Sequence, residues 1–333
     1  MTIKTDLQNN QSKVFRRKEN NLLLGDCIRA IRNSMGGIPT SWNTFWFSSL
    51  ERTGIARVRK AFAICLCLWF SACWFWVPQW LSQDGWLGTD AGRYLIGVDR
   101  VGTGSEYRWS ILFGWATQSL AAGLCVAGVV SCILMFLGIA GRLGVLSVWV
   151  CMMMVHHRAP WLTMPAEVLA SAALLYLTID PGVPILRKLT GNTESNDQSV
   201  LANVAMRCLQ VHWLIWLAFS LASMLSHTQW WDGTALAILS ERASLGLGKL
   251  SRVGWVSQVG SLLFLGFHAL TIVFLFRRGL RPIGFLLIGL IGLSYAFFVG
   301  DWMFCGVAWC YAMAFLPHIQ GEKNLIQSQR TLD

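Results

Sequence analysis

The chain has 333 residues, 54% of them hydrophobic and only 13% charged, with 18 tryptophans. Soluble domains carry about 25% charged residues, so this composition excludes an ordinary soluble fold, and it equally excludes collagen-like, disordered and disulfide-rich secreted chains. The 27 Lys and Arg against 17 Asp and Glu leave a net charge of +10, which beside long apolar blocks points to cytoplasmic loops and anionic headgroups rather than to nucleic acid.

Residues 1–60 read as a basic, polar leader holding eleven Lys and Arg, expected to lie in the cytoplasm against anionic headgroups. The first long apolar run starts at Ala61, later than a secretory signal places its own. Within the leader, Leu23, Leu24, Cys27, Ile28 and Ile31 recur at helical spacing beside Arg29 and Arg32. That pattern fits a short helix lying on the membrane surface, and a loose leader fits it equally.

From 61 to 317 the sequence predicts an all-α fold, a polytopic transmembrane helix bundle of about eight membrane helices. The apolar segments are 61–81, 114–139, 144–155, 162–179, 200–225, 255–276, 282–300 and 302–317. Crossing the hydrocarbon layer takes roughly 20 residues of helix. The third segment is too short to cross unaided, so seven or nine spans also fit. Residues 318–333 form a short tail. Under the positive-inside rule, 20 of the 27 basic residues fall on the side of the leader, which predicts cytoplasmic N- and C-termini. Two longer loops, 82–109 and 226–253, face the other side, the second with helical spacing suited to an outer-leaflet helix or a lid over the bundle. No internal repeat supports an inverted-repeat transporter.

Ionisable groups at membrane depth are functional candidates by default. Glu167 stands first, near the start of the fourth segment and nine residues after Arg158, where a helix dipole favours a carboxylate. A first-turn carboxylate bonded locally or paired with Arg158 is the bland alternative. His212 and Gln210 lie in the fifth segment with Arg207 one turn earlier, and His268 lies in the sixth. Either histidine could relay protons or bond a neighbouring helix. His156, His157 and Arg158 form a basic trio in an outer turn that could hold an anion. Trp69, Trp74, Trp76 and Trp80, with Trp230, Trp231, Trp255 and Trp302, fall near expected interfaces and read as an aromatic belt. The ten cysteines read as small apolar fillers, no metal site is expected, and no complete catalytic signature is present.

Several short features occur together. His157-Arg158-Ala159-Pro160, Glu167 nine residues after the arginine, Ile179-Asp180-Pro181-Gly182, Leu209-Gln210 and Trp231-Asp232-Gly233-Thr234-Ala235 follow one another in order. Gly138-Ile139-Ala140-Gly141-Arg142 and Phe276-Arg277-Arg278 end the second and sixth segments. This arrangement resembles the HTTM domain family, the membrane portion of vitamin K-dependent gamma-carboxylase and its bacterial relatives, over about residues 60–317. The resemblance implies a bacterial inner-membrane location and a reduced quinone as cofactor. It also implies a gamma-carboxylase-like lyase reaction begun by a lysine shortly before the Trp-x-[Asp/Glu]-Gly segment. The matching stretch, 220–230, contains no lysine, and His227 is its one titratable group. Proton transfer by a positioned group supplies about 10² to 10⁴ in rate, so the sequence predicts the fold without the carboxylase reaction.

The reading favoured by the sequence is a multi-pass membrane protein whose bundle binds a lipid, quinone or other apolar small molecule. His157, Arg158, Glu167, Gln210, Trp231 and Asp232 are its ligand-binding candidates, and Glu167, His212 and His268 its catalytic ones. The alternatives are a transporter or channel-like subunit, with Gln118, Gln210, His212, Gln258 and His268 lining a path, and a scaffold binding a partner protein through its outer loops.

Overall fold

The structure, a computed structural model, describes residues 38–86, 88, 94, 110–113, 117–159, 164–182, 198–241 and 254–316. The expected surface helix at 23–31, most of the loop 82–109, residues 242–253 and the tail lie outside the described residues. The chain divides into residues 1–48 and 49–333. In the first unit, helix α1 (Ile38–Phe47) presents exposed Trp42 and Phe47, an element that the reading of a polar leader did not foresee.

The second unit is helical. Its helices are α2 (Arg52–Trp76), prolonged by a π-helical turn Val77–Leu81, α3 (Gln118–Leu137), α4 (Gly141–Arg158), α5 (Pro165–Leu177), α6 (Val200–Ser226) and the short α7 (Thr228–Trp231) and α8 (Ala235–Ser240). They are followed by α9 (Gly254–Phe276), α10 (Arg281–Ser294), prolonged by the π-helical turn Tyr295–Val299, and α11 (Trp302–Met313). A two-residue antiparallel clasp joins β1 (Leu50–Glu51) to β2 (Gln198–Ser199), pairing Leu50 with Ser199.

Among the described residues five helices, not the expected eight, are long and apolar enough to cross a membrane: α2 with its π-turn, α3, α6, α9, and α10 with its π-turn. The fold is all-α, and these five suit a polytopic membrane bundle. The remaining three expected segments are helical but fall short for two physical reasons. At a rise of 1.5 Å per residue, the 13 residues of α5 and the 12 of α11 reach only about 20 and 18 Å. The third segment grows at both ends into the 18-residue α4, and the added turns carry Arg142, His156, His157 and Arg158.

Each long helix packs on the next: α2 on α3, α3 on α4, α4 on α5, α5 on α6, α6 on α9, α9 on α10 and α10 on α11. The last, α11, returns to touch α2, α5 and α6. It buries Phe304, Val307, Ala308, Cys310, Tyr311 and Ala312, as a helix apolar on every side must when it sits in a core. Small residues permit the closest approaches. At Gly128 of α3 a Cβ would lie 2.6 Å from the Phe70 ring of α2, the kind of small-residue contact on which membrane helices associate.

Two ends of the bundle differ in chemistry. At one, α2 starts nine residues before the apolar run, because Arg59 is drawn into the interior. Its Nη2 donates to the carbonyls of Leu177 (2.7 Å) and Asp180, and its Nη1 pairs with the Asp180 carboxylate at 3.5 Å. Asp180 is fully buried and also meets Arg52 Nε at 3.6 Å, the Ser199 hydroxyl at 3.3 Å and the Gly182 amide at 3.1 Å. Ser199 in turn caps α6 by accepting from the Ala202 amide. The opposite end is lined by tryptophan.

Candidate functional site

On α2, Trp69, Cys73, Trp76 and Trp80 fall at intervals of four, three and four residues, so they share one helix face. That face, together with Trp86 beyond the π-turn, walls a cavity of about 420 Å³ closed on the far side by Val155, His156 and Ala159 at the end of α4 and by Glu167 at the start of α5. Trp80 and Trp86 meet edge to face at 4.9 Å, and Trp69 meets the His156 ring edge to face at 5.8 Å. Such contacts let the rings fix one another while keeping large apolar faces free.

Two polar side chains reach this apolar chamber. Glu167 is 6% exposed. Its Oε2 accepts from the Met164 amide at 2.8 Å, fastening the first turn of α5 behind Pro165, and its Oε1 accepts from the Trp69 indole N–H at 3.2 Å. The carboxylate therefore bonds locally, as its place in a first turn allows, and also ties α5 to α2. His156 is buried, and its Nε2 has no hydrogen-bond partner among the described residues. A buried polar atom left without a partner costs about 1–3 kcal/mol, so a ligand atom able to bond it would remove a real penalty.

The other candidates separate. Arg158 is fully buried beside the chamber, with Nη2 3.5 Å from the Ser82 carbonyl at the exit of α2, while His157 is half-buried. Neither is among the cavity walls. Arg207 donates to Gln210 at 2.9 Å, as the helical spacing implies, and Gln210 donates to the Ala314 carbonyl at 2.7 Å, locking α6 to the end of α11. His212 meets the Tyr176 hydroxyl at 2.9 Å. His268 is fully buried, with Nδ1 2.9 Å from the Phe264 carbonyl and its ring against Phe264 and Trp216. Trp231 and Asp232 are exposed, and the amide and hydroxyl of Thr234 both donate to Asp232 Oδ1, at 2.9 and 2.6 Å, which holds this carboxyl below its ordinary value. His227, in the stretch where a lysine would stand, is exposed and turned to the Ser223 carbonyl at 2.7 Å. Gln118 and Gln258 are exposed near helix starts.

Sequence reasoning placed His156 in an anion-holding trio but left it out of the ligand-binding candidates, and it missed the cavity role of the tryptophans. Both left a signal. His156 follows the fully buried Val148 and Met152 at intervals of four, whereas His157 steps off that face. The regular spacing on α2 marks one wall as well as it marks a belt. No group of three metal-ligating side chains occurs among the described residues, and the nine cysteines there are free. No family model matches the chain, and no curated protein or solved structure matches it.

Proposed function

We propose that this chain is a multi-pass membrane protein of HTTM-like fold that binds an apolar small molecule with a hydrogen-bonding head group in the tryptophan cavity, without carboxylase activity. The observation that carries this reading is the unpartnered Nε2 of buried His156 beside Glu167 in a chamber otherwise walled by indole rings. Apolar walls with a few placed polar groups are what a small-molecule site requires. A quinone or quinol head suits that environment, its ring against the tryptophans and an oxygen at His156. Fatty acids and single-chain lipids share this chemistry.

Access from the bilayer has a route. A second apolar groove of about 510 Å³ lies between α2 and α11 and shares Trp69 as a wall with the first cavity, so an apolar ligand could pass from lipid to chamber around one indole. The HTTM-like assignment is supported by the order and spacing of its motifs. The lack of carboxylase activity is supported by the missing lysine between 220 and 230. By the positive-inside rule the arginine end is cytoplasmic and the tryptophan end outer, and the HTTM resemblance points to a bacterial inner membrane.

Mass spectrometry of what co-purifies with the full chain in mild detergent tests the reading. Wild-type protein should retain one such small molecule, and His156→Ala and Glu167→Gln should each lower its retention about tenfold, the equivalent of one lost hydrogen bond. Equal retention by wild type and both variants, with their thermal stability unchanged, would remove the site.

A further inference from the structure

The arginine end holds more positive charge than Asp180 neutralises. A polar cavity of about 140 Å³ there is lined by Arg52, Arg59 and Lys60 with Asp180 as its one acidic wall, and the α3–α4 turn at Gly138 and Gly141 closes its side. Gly138 and Gly141 have φ of 70° and 52°, so this turn brings bare backbone, without side-chain bulk, to the cavity edge. Arg59 is 8% exposed, and its Nε has no hydrogen-bond partner among the described residues. The arginine thus satisfies Asp180 and two carbonyls and still has a buried donor to spare.

This basic cavity does not stand alone. Phe136 is a wall both of it and of an apolar groove of about 260 Å³ that runs along α2 and α3 between Ile64, Cys67, Leu68, Cys132 and Ile133. Lys60 Nζ sits 5.6 Å from the centre of the Phe136 ring, at the junction of the two. Ile64, Leu68 and Ile133 are 54%, 68% and 48% exposed, so the groove opens on the outer surface of α2 and α3. A soluble anion would use the charges and leave the groove empty, and a neutral lipid would do the reverse. We infer that the Arg52, Arg59 and Lys60 cavity and the α2–α3 groove together form a binding site for one anionic glycerophospholipid, its phosphate among the basic side chains and one acyl chain along Ile64, Leu68 and Ile133. The site is separate from the tryptophan cavity and does not depend on what that cavity holds.

The test uses the full chain, stripped of lipid in detergent and then exposed to phosphatidylglycerol, to phosphatidylcholine or to inorganic phosphate, with bound lipid counted by native mass spectrometry. Wild type should keep phosphatidylglycerol in preference to phosphatidylcholine. Lys60→Gln should weaken that retention roughly fivefold, the worth of one basic residue at an anionic surface. Ile133→Trp, which fills the groove without touching a charge, should weaken it as well, and inorganic phosphate at equal concentration should not displace the lipid. Both substituted side chains have room outside the core, so the variants are expected to fold, which far-ultraviolet circular dichroism checks. Equal retention of the two lipids by wild type overturns the inference, as does unchanged retention in either folded variant. Displacement by inorganic phosphate alone would make this a simple anion site and overturns it too.

Discussion

The two ends of the bundle handle buried polarity in opposite ways. At the arginine end, charged groups are gathered around one another: Asp180 is fully buried yet meets two guanidinium groups, a hydroxyl and a backbone amide. At the tryptophan end, Glu167 and His156 stand in a mostly aromatic chamber, and His156 Nε2 is left unanswered. The first arrangement serves cohesion, because three chain segments, the start of α2, residues 180–182 and the start of α6, meet on one carboxylate. The second gives up cohesion for an apolar chamber with a few placed polar groups, as small-molecule sites do.

That contrast gives an ordered set of expectations. Asp180→Asn should have the largest effect on stability, about 3–5 kcal/mol in thermal or denaturant unfolding in detergent, because removing one partner strands buried positive charge. A change under 1 kcal/mol would mean that the arginines find other acceptors and that the joint is not built on this carboxylate. Trp69→Phe keeps the ring face and deletes the bond to Glu167, so it should cost about 1 kcal/mol of stability while lowering ligand retention. Loss of stability with full retention would place Glu167 in the frame of the bundle and not in the site.

The smallest effect is expected at Asp232. The Thr234 bonds hold its folded value below the ordinary one, so protection of the Thr234 amide should be complete above the usual aspartate range and disappear as pH falls through the lowered value. Asp232→Ala should abolish that protection at every pH, leaving global unfolding unaltered. Amide exchange of Thr234 reads both, and a global shift would draw this exposed loop into the bundle.

How far these ends were legible in the sequence follows from the range of the interactions. Helix positions rest on local apolar runs, and all eight expected segments are helical. The span count did not survive, since a run of apolar residues does not tell a crossing helix from a short one packed among its neighbours, as α5 and α11 are. The start of α2 was unreadable for a different reason. Arg52 and Arg59 look like leader charges until Asp180, 121 residues from Arg59, is brought beside them. Glu167 was found because an acid in an apolar block is conspicuous by itself. His156 was lost among three adjacent basic residues, although the periodicity of α4 separates it from His157. Gln210 and His212, singled out for their polarity, turn out to bond neighbouring helices.

The shortness of α11 bears on how the protein enters its membrane. A helix of about 18 Å cannot bridge a hydrocarbon layer of about 30 Å, so on emerging from the ribosome it has no stable resting place of its own across the lipid. Its faces become satisfied only against α2, α5, α6 and α10, all of which precede it in the chain. Assembly is therefore sequential by construction: the earlier helices must already be gathered before the last one can be seated. A lesion in any of those four walls should show itself first as failure to integrate α11, well before the long spans are disturbed.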